Sequence, residues 1–194
     1  MYASLDEAYS DLGHLSSEQL RKGQSLNPSS IYNFRQVSGR VFYKAIRHVA
    51  ANDIAKMNKG LPSKGLHTLS VYKPQEYADM KCFLGINNSS GFAIHGDELV
   101  SVFSSGEPSG NAILVAAIDK GARKLDCFAT RDKHGKISGP LFRLYSNHGF
   151  HIDTSMNSGI PGEAYAIQNG VSDYVDDEGN VHPDDPRVVI FMRR

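Results

Sequence analysis

The chain has 194 residues, which is enough for one well-packed domain with an appended subdomain. Its 21 basic and 21 acidic residues balance, so net charge does not indicate a nucleic-acid-binding protein, although a local basic face can lie within a neutral total. No apolar run reaches the length of a membrane span, the N-terminus lacks a secretory signal, and the two cysteines form no CxxC motif. We therefore expect a soluble, cytoplasmic protein with buried free thiols and no membrane partner.

The N-terminal third of the chain is polar at first and then helical in pattern. Residues 1–36 are weakly periodic and predict one or two short helices followed by a loop. Between residues 38 and 58, apolar side chains recur at helical spacing with basic side chains on the other side. This pattern predicts an amphipathic helix, ended by Gly60 and Pro62, that packs on the main domain or faces a partner or substrate. We predict a boundary here, with residues 1–62 as an N-terminal helical extension and residues 63–194 as the main domain.

The predicted main domain begins with strands. Residues 66–72 predict a strand, and Pro74 opens a short helix that we expect to reach residue 83. Residues 91–95 and 99–103 are apolar and β-branched, which predicts two strands joined by a hairpin connection.

A strand–turn–helix–strand unit follows directly. Residues 104–110 contain two glycines and Pro108, which favour a tight connection after the strand. Residues 112–118 are apolar on every face and predict a helix buried on most sides, ended by Gly121, before a strand at residues 124–129. Such a unit directs unpaired N–H groups of the helix N-terminus at one place, which suits an anion such as phosphate.

The last part of the chain predicts one more helix and two more strands. A polar loop at residues 130–139 precedes a helix that begins at Pro140 and ends at Gly149. Residues 150–152 and 188–192 predict strands, whereas residues 155–186 are mostly irregular.

The turn at residues 104–110 matches the common phosphate-binding and nucleophile motifs poorly. It has neither the spacing and lysine of a P-loop nor the GxGxxG of a dinucleotide-binding fold. Ser109 lies between a strand and a helix, as a hydrolase nucleophile does, but the local pattern is GxxSG rather than GxSxG. A triad can still be drawn from Ser109 with Asp126 or Asp153 and with His148 or His182.

The sequence does not indicate a metal site. It has no HExxH motif and no Cys/His cluster. The acidic segment at residues 173–185 misses the spacing of an EF-hand, so we interpret it as an acidic solvated loop.

The order of predicted elements resembles that of the general-control-related N-acetyltransferase (GNAT) superfamily over residues 66–194. In that family a turn of the form [RQ]xxGx[GA] holds the pyrophosphate of acetyl-CoA at a helix N-terminus. Here the turn reads EPSGNA, in which Gly110 and Ala112 match the Gx[GA] portion and Glu107 replaces the usual arginine or glutamine. A carboxylate at that position would repel a pyrophosphate. The resemblance implies an α/β (α+β) fold, a GNAT-like mixed, mostly antiparallel sheet flanked by helices, with an N-terminal helical extension.

The resemblance also implies a set of site residues. Those expected to bind acetyl-CoA are Val102, Phe103, Ser104, Ser109, Gly110, Asn111 and Ala112. Residues 141–150 are similar to the family's "fYek.GF" segment, whose tyrosine protonates the leaving thiolate, and Tyr145 occupies that place. The alternative for Tyr145 is a helix-face tyrosine packed on the sheet. Glu98 is the candidate base, slightly ahead of Asp97 and His95.

The implied reaction is the direct attack of an amine on the acetyl group of acetyl-CoA, with the carbonyl polarised by backbone N–H groups of the preceding strand. The acceptor amine can belong to a protein, a small molecule or a nucleobase. The alternative is a catalytically inactive GNAT-like module with a binding, structural or assembly role. The chain is also similar to GNAT-like domains of bacteriophage-associated proteins, and a homo-oligomer or an assembly partner is compatible with either hypothesis.

Overall fold

The computed structural model describes residues 34–62, 71–86, 88–105, 110–159, 166–176 and 178–194. The helices are α1 (Gly39–Met57), α2 (Gly110–Asp119) and α3 (Pro140–Asn147), and a 3-10 turn lies at Glu76–Asp79. The strands are β1 (Arg35–Val37), β2 (Lys81–Leu84), β3 (Ser90–His95), β4 (Glu98–Ser104), β5 (Lys124–Arg131), β6 (Ile137–Ser138), β7 (His151–Ile152), β8 (Ser158–Gly159), β9 (Ala166–Ile167), β10 (Val171–Val175), β11 (Val181–His182) and β12 (Arg187–Arg193).

One sheet contains most of these strands, in the order β1-β2-β3-β4-β5-β12-β10-β11. β6 pairs with β5 and β7 with β12, while β8 and β9 form a separate two-stranded sheet. Neighbouring strands are antiparallel except β4 and β5, which run parallel. The predicted fold class is therefore confirmed as a mixed, mostly antiparallel α/β (α+β) sheet flanked by helices.

Helix α1 forms where the apolar periodicity predicted it. The Ser38 side chain caps its N-terminus by accepting a hydrogen bond from the Val41 N–H. Its buried residues recur every three or four positions and are Gly39, Phe42, Ile46, Val49 and Asp53. This stripe packs on β2 and β3, and β1 pairs with β2. The predicted division after residue 62 stays a prediction, but β1 and α1 share a sheet and a core with the strands that follow it.

The sheet separates two apolar cores. One core contains residues of α2 and α3 together with Phe92 and Leu99. The other core contains residues of α1 together with Ala93 and Val100. Successive residues of a strand point to opposite faces, so β3 contributes to both cores and is buried from Ser90 to Ile94.

The segment after Pro74 is not a helix that reaches residue 83, as we predicted. Only Glu76–Asp79 forms a 3-10 turn, and Lys81–Leu84 forms β2. β2 lies between β1 and β3 with a core on each face, so its last three residues are all buried. A short run that is apolar throughout does not distinguish a strand from a helix by periodicity.

Within residues 155–186, which we predicted to be mostly irregular, fewer than half of the described residues lie in strands, namely those of β8, β9, β10 and β11. β10 and β11 form an antiparallel hairpin, where we predicted an acidic solvated loop. The Asp176 carboxylate closes this hairpin by accepting hydrogen bonds from the N–H groups of Glu178 and Asn180. Asp176 Oδ2 also lies 2.8 Å from His182 Nε2. The Asp176 side chain therefore organises the local structure of the turn.

Two further strands lie in regions that predicted none. β1 overlaps the end of residues 1–36, and β6 falls within the predicted polar loop at residues 130–139. The helices predicted before residue 34 and most of the strand predicted at residues 66–72 lie outside the described residues.

The remaining predicted elements are confirmed with small changes in their bounds. They are the β3–β4 hairpin, helix α2, strand β5, helix α3, strand β7 and the final strand β12. In the described ranges, no helix is both long enough and apolar enough to cross a membrane.

Candidate functional site

The parallel strands β4 and β5 leave an opening in the sheet. Their registered pairing consists of Glu98 with Lys124 and Leu99 with Leu125, although both strands extend well beyond these residues. We refer to the region between residues 100–103 of β4 and residues 126–129 of β5 as the strand gap, beyond which β5 pairs with β6. Along the strand gap, β4 has no registered partner on β5, so the backbone edge that faces β5 can pair with an extended ligand.

A β-bulge in β4 borders the strand gap. Ser101 has a φ of 53°, in the left-handed region that favours glycine, and the β3–β4 register shifts opposite it. Because of the bulge, Val100 and Phe103 both face the core under α1 although they are three residues apart. The Ser101 hydroxyl lies 2.8 Å from the hydroxyl of Tyr77, whose ring is buried. This contact and the surrounding packing hold a backbone conformation that costs about 1–3 kcal/mol.

Helix α2 begins close to helix α3. A Cβ on Gly110 would lie 3.4 Å from Leu144 Cδ2, so the two helices approach closely at this point. Asn111 Oδ1 lies 3.1 Å from His148 Nε2, just beyond the end of α3. These contacts position the first turn of α2, whose N–H groups have no intrahelical acceptor and suit an anion. Ser109, which we also predicted to bind acetyl-CoA, lies outside the described residues.

Tyr145 is a buried residue of α3 that packs over β5. It is 8% exposed, and its ring centroid lies 6.2 Å from that of Phe150. Burial, followed by the neighbouring Cys127 and Asp126, raises the pKa of the phenol, which therefore stays protonated at neutral pH. Among the described residues its hydroxyl has no hydrogen-bond partner. Tyr145 is therefore a packed helix-face residue whose phenol keeps its proton.

The two cysteines are free and buried, as predicted. Burial raises the pKa of the Cys82 thiol to about 11. Burial, followed by the Asp126 carboxylate, raises the pKa of the Cys127 thiol to about 12. Both thiols are therefore protonated at neutral pH and unsuited to act as nucleophiles, including Cys127 beside Tyr145.

Glu98 lies on the face of the sheet opposite Tyr145. Leu99 points into the core under α2 and α3, so its neighbour Glu98 projects from the other face. Burial, followed by the Asp126 carboxylate, raises the pKa of Glu98, which moves this group toward the range of a general base. The two predicted catalytic residues therefore do not share a face of the sheet.

The other predicted cofactor-binding residues differ in how far their side chains are exposed to a ligand. Val102 is half-buried against the core under α2 and α3, whereas Phe103 is 2% exposed in the core under α1. Ser104 pairs with Ser90 at the end of the β3–β4 ladder, and Ala112 is buried in α2. Because the side chains of Phe103 and Ala112 are buried, these two residues can contact a bound molecule only through their backbone.

The triad drawn from Ser109 stays a prediction, because Ser109 lies outside the described residues. His148 and His182 lie within hydrogen-bonding distance of Asn111 and Asp176, and the Asp153 carboxylate accepts hydrogen bonds within its own turn. The part of the chain that the structure describes also contains no group of three or more His, Cys, Asp or Glu residues that could hold a metal ion.

Two cavities lie along α1. The first, of about 330 Å³, is lined by the C-terminal half of α1, by residues 59 and 61, and by Ser105. The second, of about 350 Å³, lies between the start of α1 and the segment before the 3-10 turn. Neither cavity is lined by Tyr145 or Val102.

Ser101 and Tyr77 are not among the site residues that the sequence predicts. Serine has no preference for a positive φ, so the bulge follows from strand pairing and packing rather than from residue type. The predicted helix after Pro74 contains Tyr77, but the structure places Tyr77 in the 3-10 turn, with its hydroxyl against Ser101 of β4. The available signal was one polar residue inside the apolar run LVSVF.

Comparison of the chain with protein-family models, with curated proteins and with solved structures gave no match. The GNAT resemblance therefore stays a prediction, based on the order of elements and on the motifs around Gly110 and Tyr145.

Proposed function

We propose that the protein is an acyl-CoA-dependent N-acyltransferase that moves an acetyl group from acetyl-CoA to an amine. The observation that carries this proposal is the strand gap. Its β4 edge offers backbone N–H and C=O groups to the amide-containing arm of the co-substrate. A bulge at Ser101 lies along the same edge and redirects the backbone there.

The start of α2 supports the placement of the phosphate end of acetyl-CoA. Its first-turn N–H groups carry partial positive charge, and Gly110 leaves the backbone accessible because it has no side chain. The contact between Asn111 and His148 holds this turn against α3, the helix that carries Tyr145.

The proposed chemistry uses one group on each face of the sheet. The amine nitrogen forms a bond to the acetyl carbon, and the carbon–sulfur bond breaks. The Tyr145 hydroxyl donates its proton to the leaving thiolate. The Glu98 carboxylate, whose pKa is raised by burial and by Asp126, accepts a proton from the amine directly or through water.

A calorimetric titration of the full chain with acetyl-CoA and with free CoA tests this proposal. We expect micromolar binding of acetyl-CoA, followed by acetyl transfer in a screen of amine acceptors. No binding at millimolar ligand would contradict the proposal.

A second candidate function is a catalytically inactive module with a binding or assembly role. The observation that favours it is the position of the two cavities, which lie along α1 rather than at the strand gap. Such a module would bind neither acetyl-CoA nor CoA and would be insensitive to substitution of Tyr145.

A further inference from the structure

Helix α1 and its flanking residues carry an uneven share of charge in a chain whose total is neutral. Residues 34–62 contain six lysines and arginines but only one acidic residue, Asp53, which is 3% exposed. The six basic residues are all exposed and are Arg35, Arg40, Lys44, Arg47, Lys56 and Lys59. Within residues 34–62 every exposed charged side chain is therefore positive and the one carboxylate is buried, while Glu76 and Asp79 lie on the neighbouring 3-10 turn.

Three of these cations form a line on the solvent side of α1. Arg40, Lys44 and Arg47 are spaced i, i+4 and i+7, opposite the buried stripe that contains Phe42 and Ile46. At a rise of 1.5 Å per residue, Arg40 and Lys44 are about 6 Å apart along the helix axis, and Lys44 and Arg47 are about 4.5 Å apart. Among the described residues, none of the three forms a salt bridge or a side-chain hydrogen bond. Their charges are therefore available to an anionic partner.

An aromatic ring lies among these cations. The cavity of about 350 Å³ at the start of α1 is lined by Arg40, Tyr43, Lys44, Pro74 and Gln75. Tyr43 is half-buried, and its ring centroid lies 6.4 Å from that of the buried Tyr77, which limits its movement. Two cations beside a supported aromatic ring can accommodate a flat base and the phosphates that flank it.

We propose that this basic face of α1 binds single-stranded nucleic acid. Arg40, Lys44 and Arg47 contact successive phosphates, and a base stacks on Tyr43 in the adjoining cavity. This site is separate from the strand gap, and the inference does not depend on the acyltransferase proposal.

Other anionic partners fit this face less well. An acidic peptide would pair with the cations but would leave the aromatic wall of the cavity unused. An anionic membrane would require an apolar face to insert, but the apolar stripe of α1 is buried against the sheet. Stacking combined with phosphate contact is the usual way in which proteins hold unpaired nucleotides.

Fluorescence anisotropy with a labelled oligothymidine tests the proposal on the full chain. We expect binding at low salt. The logarithm of the association constant should fall by about two for each tenfold rise in salt concentration, because each of the three phosphate contacts lowers this slope by about 0.7. The double variant Arg40→Glu/Lys44→Glu should lose at least about tenfold in affinity. The matched control is Lys133→Glu/Lys136→Glu, which changes the same charge on the exposed β5–β6 turn and should bind nearly as wild type does.

A second pair of variants isolates the stacking. Tyr43→Leu should weaken binding at least about fivefold, whereas Tyr43→Phe should retain it, because only the ring is required. Thermal melting of each variant checks that α1 still packs.

Three outcomes would overturn the proposal. These are no binding of oligothymidine at low salt, an equal loss in the control variant, and preferential binding to vesicles of anionic lipid. An unchanged affinity for folded Tyr43→Leu would reject the stacking contact and with it the proposed cavity.

Discussion

At the scale of single residues, Tyr145 combines a buried ring with a hydroxyl that makes no hydrogen bond to another described group. Its neighbours on β5 are the protonated thiol of Cys127 and the carboxyl group of Asp126. A phenol in these surroundings keeps its proton at neutral pH, because burial disfavours the phenolate. The phenol therefore carries a proton that it can donate, and its raised pKa makes it a weaker acid than an exposed tyrosine.

The variant Tyr145→Phe tests this assignment. It removes only the hydroxyl, so we expect turnover to fall by roughly a hundredfold or more while acetyl-CoA affinity and thermal stability stay close to wild type. Steady-state kinetics, calorimetry and thermal melting give the three readouts. Full activity in the phenylalanine variant would assign Tyr145 to packing alone.

Gly39 illustrates a different residue-level constraint. A Cβ at this position would collide with the backbone carbonyl of Tyr77 and with its Cβ, so α1 and the 3-10 turn can approach only because residue 39 has no side chain. We expect Gly39→Ala to reduce the free energy of unfolding by about 1–3 kcal/mol, although alanine is the better helix former.

Urea unfolding of the Gly39→Ala variant measures this loss. Gly110→Ala is the matched comparison, because its added Cβ would meet only Leu144 Cδ2 at 3.4 Å. If both variants were equally stable, the close approach of α1 to Tyr77 would not be a constraint on the fold.

At the scale of elements, a negative charge added to the first turn of α2 should have opposite effects on helix stability and on anion binding. Asn111→Asp is nearly isosteric and places a carboxylate at the positive end of the helix, where it should stabilise the helix by about 0.3–1 kcal/mol. The same carboxylate should weaken CoA binding at least about fivefold, since like charges about 4 Å apart repel by about 1 kcal/mol even in bulk water.

Calorimetry and thermal melting of the Asn111→Asp variant test both effects. Asn147→Asp, at the exposed end of α3, is the control for added charge and should leave CoA affinity unchanged. Unaltered CoA affinity in Asn111→Asp would place the phosphates elsewhere.

The β10–β11 hairpin has a pH dependence of its own. Hydrogen bonding from His182, followed by the Asn180 N–H, holds the pKa of Asp176 well below its ordinary value of 3.8. A carboxyl group with a lowered pKa adds stability above that ordinary value, and this stability is lost as the pH falls below it.

We therefore expect Asp176→Asn to be less stable than wild type near neutral pH, with the difference shrinking once the pH falls below 3.8. Urea unfolding at several pH values provides the measurement. Asp184→Asn, at an exposed position in the same region, should show little difference at any pH. A difference for Asp176→Asn that does not depend on pH would exclude the carboxylate as its cause.

At the scale of the whole molecule, β3 is the strand that both cores share. It pairs with β2 and β4 along its length and is buried on both faces, whereas β1 and β11 lie at the edges of the sheet. Opening β3 requires both cores to separate, so its amides should exchange only through nearly global unfolding.

Hydrogen exchange measured by mass spectrometry tests this expectation. Peptides that cover residues 90–95 should exchange most slowly, and those that cover β11 should exchange far faster. Equally fast exchange in both would mean that the two cores do not unfold as one cooperative unit.

The sequence alone determined the elements whose signals are local. Apolar periodicity located α1, the run of apolar residues after Gly110 located α2, and Pro140 marked the start of α3. The alternating and β-branched runs located β3, β4, β5 and β12. These patterns are readable because burial of one face or stripe imposes a period on the residues that form it.

Tertiary structure alone decided the features on which the proposed function depends. The bulge at Ser101 arises from long-range pairing and packing, since serine does not favour a positive φ. The separation of β4 from β5 depends on partners far apart in sequence, as does the placement of Glu98 and Tyr145 on opposite faces of the sheet. The basic face of α1 was visible in the sequence as a helix pattern, but only the packed structure shows that its one carboxylate is buried and its cations are exposed.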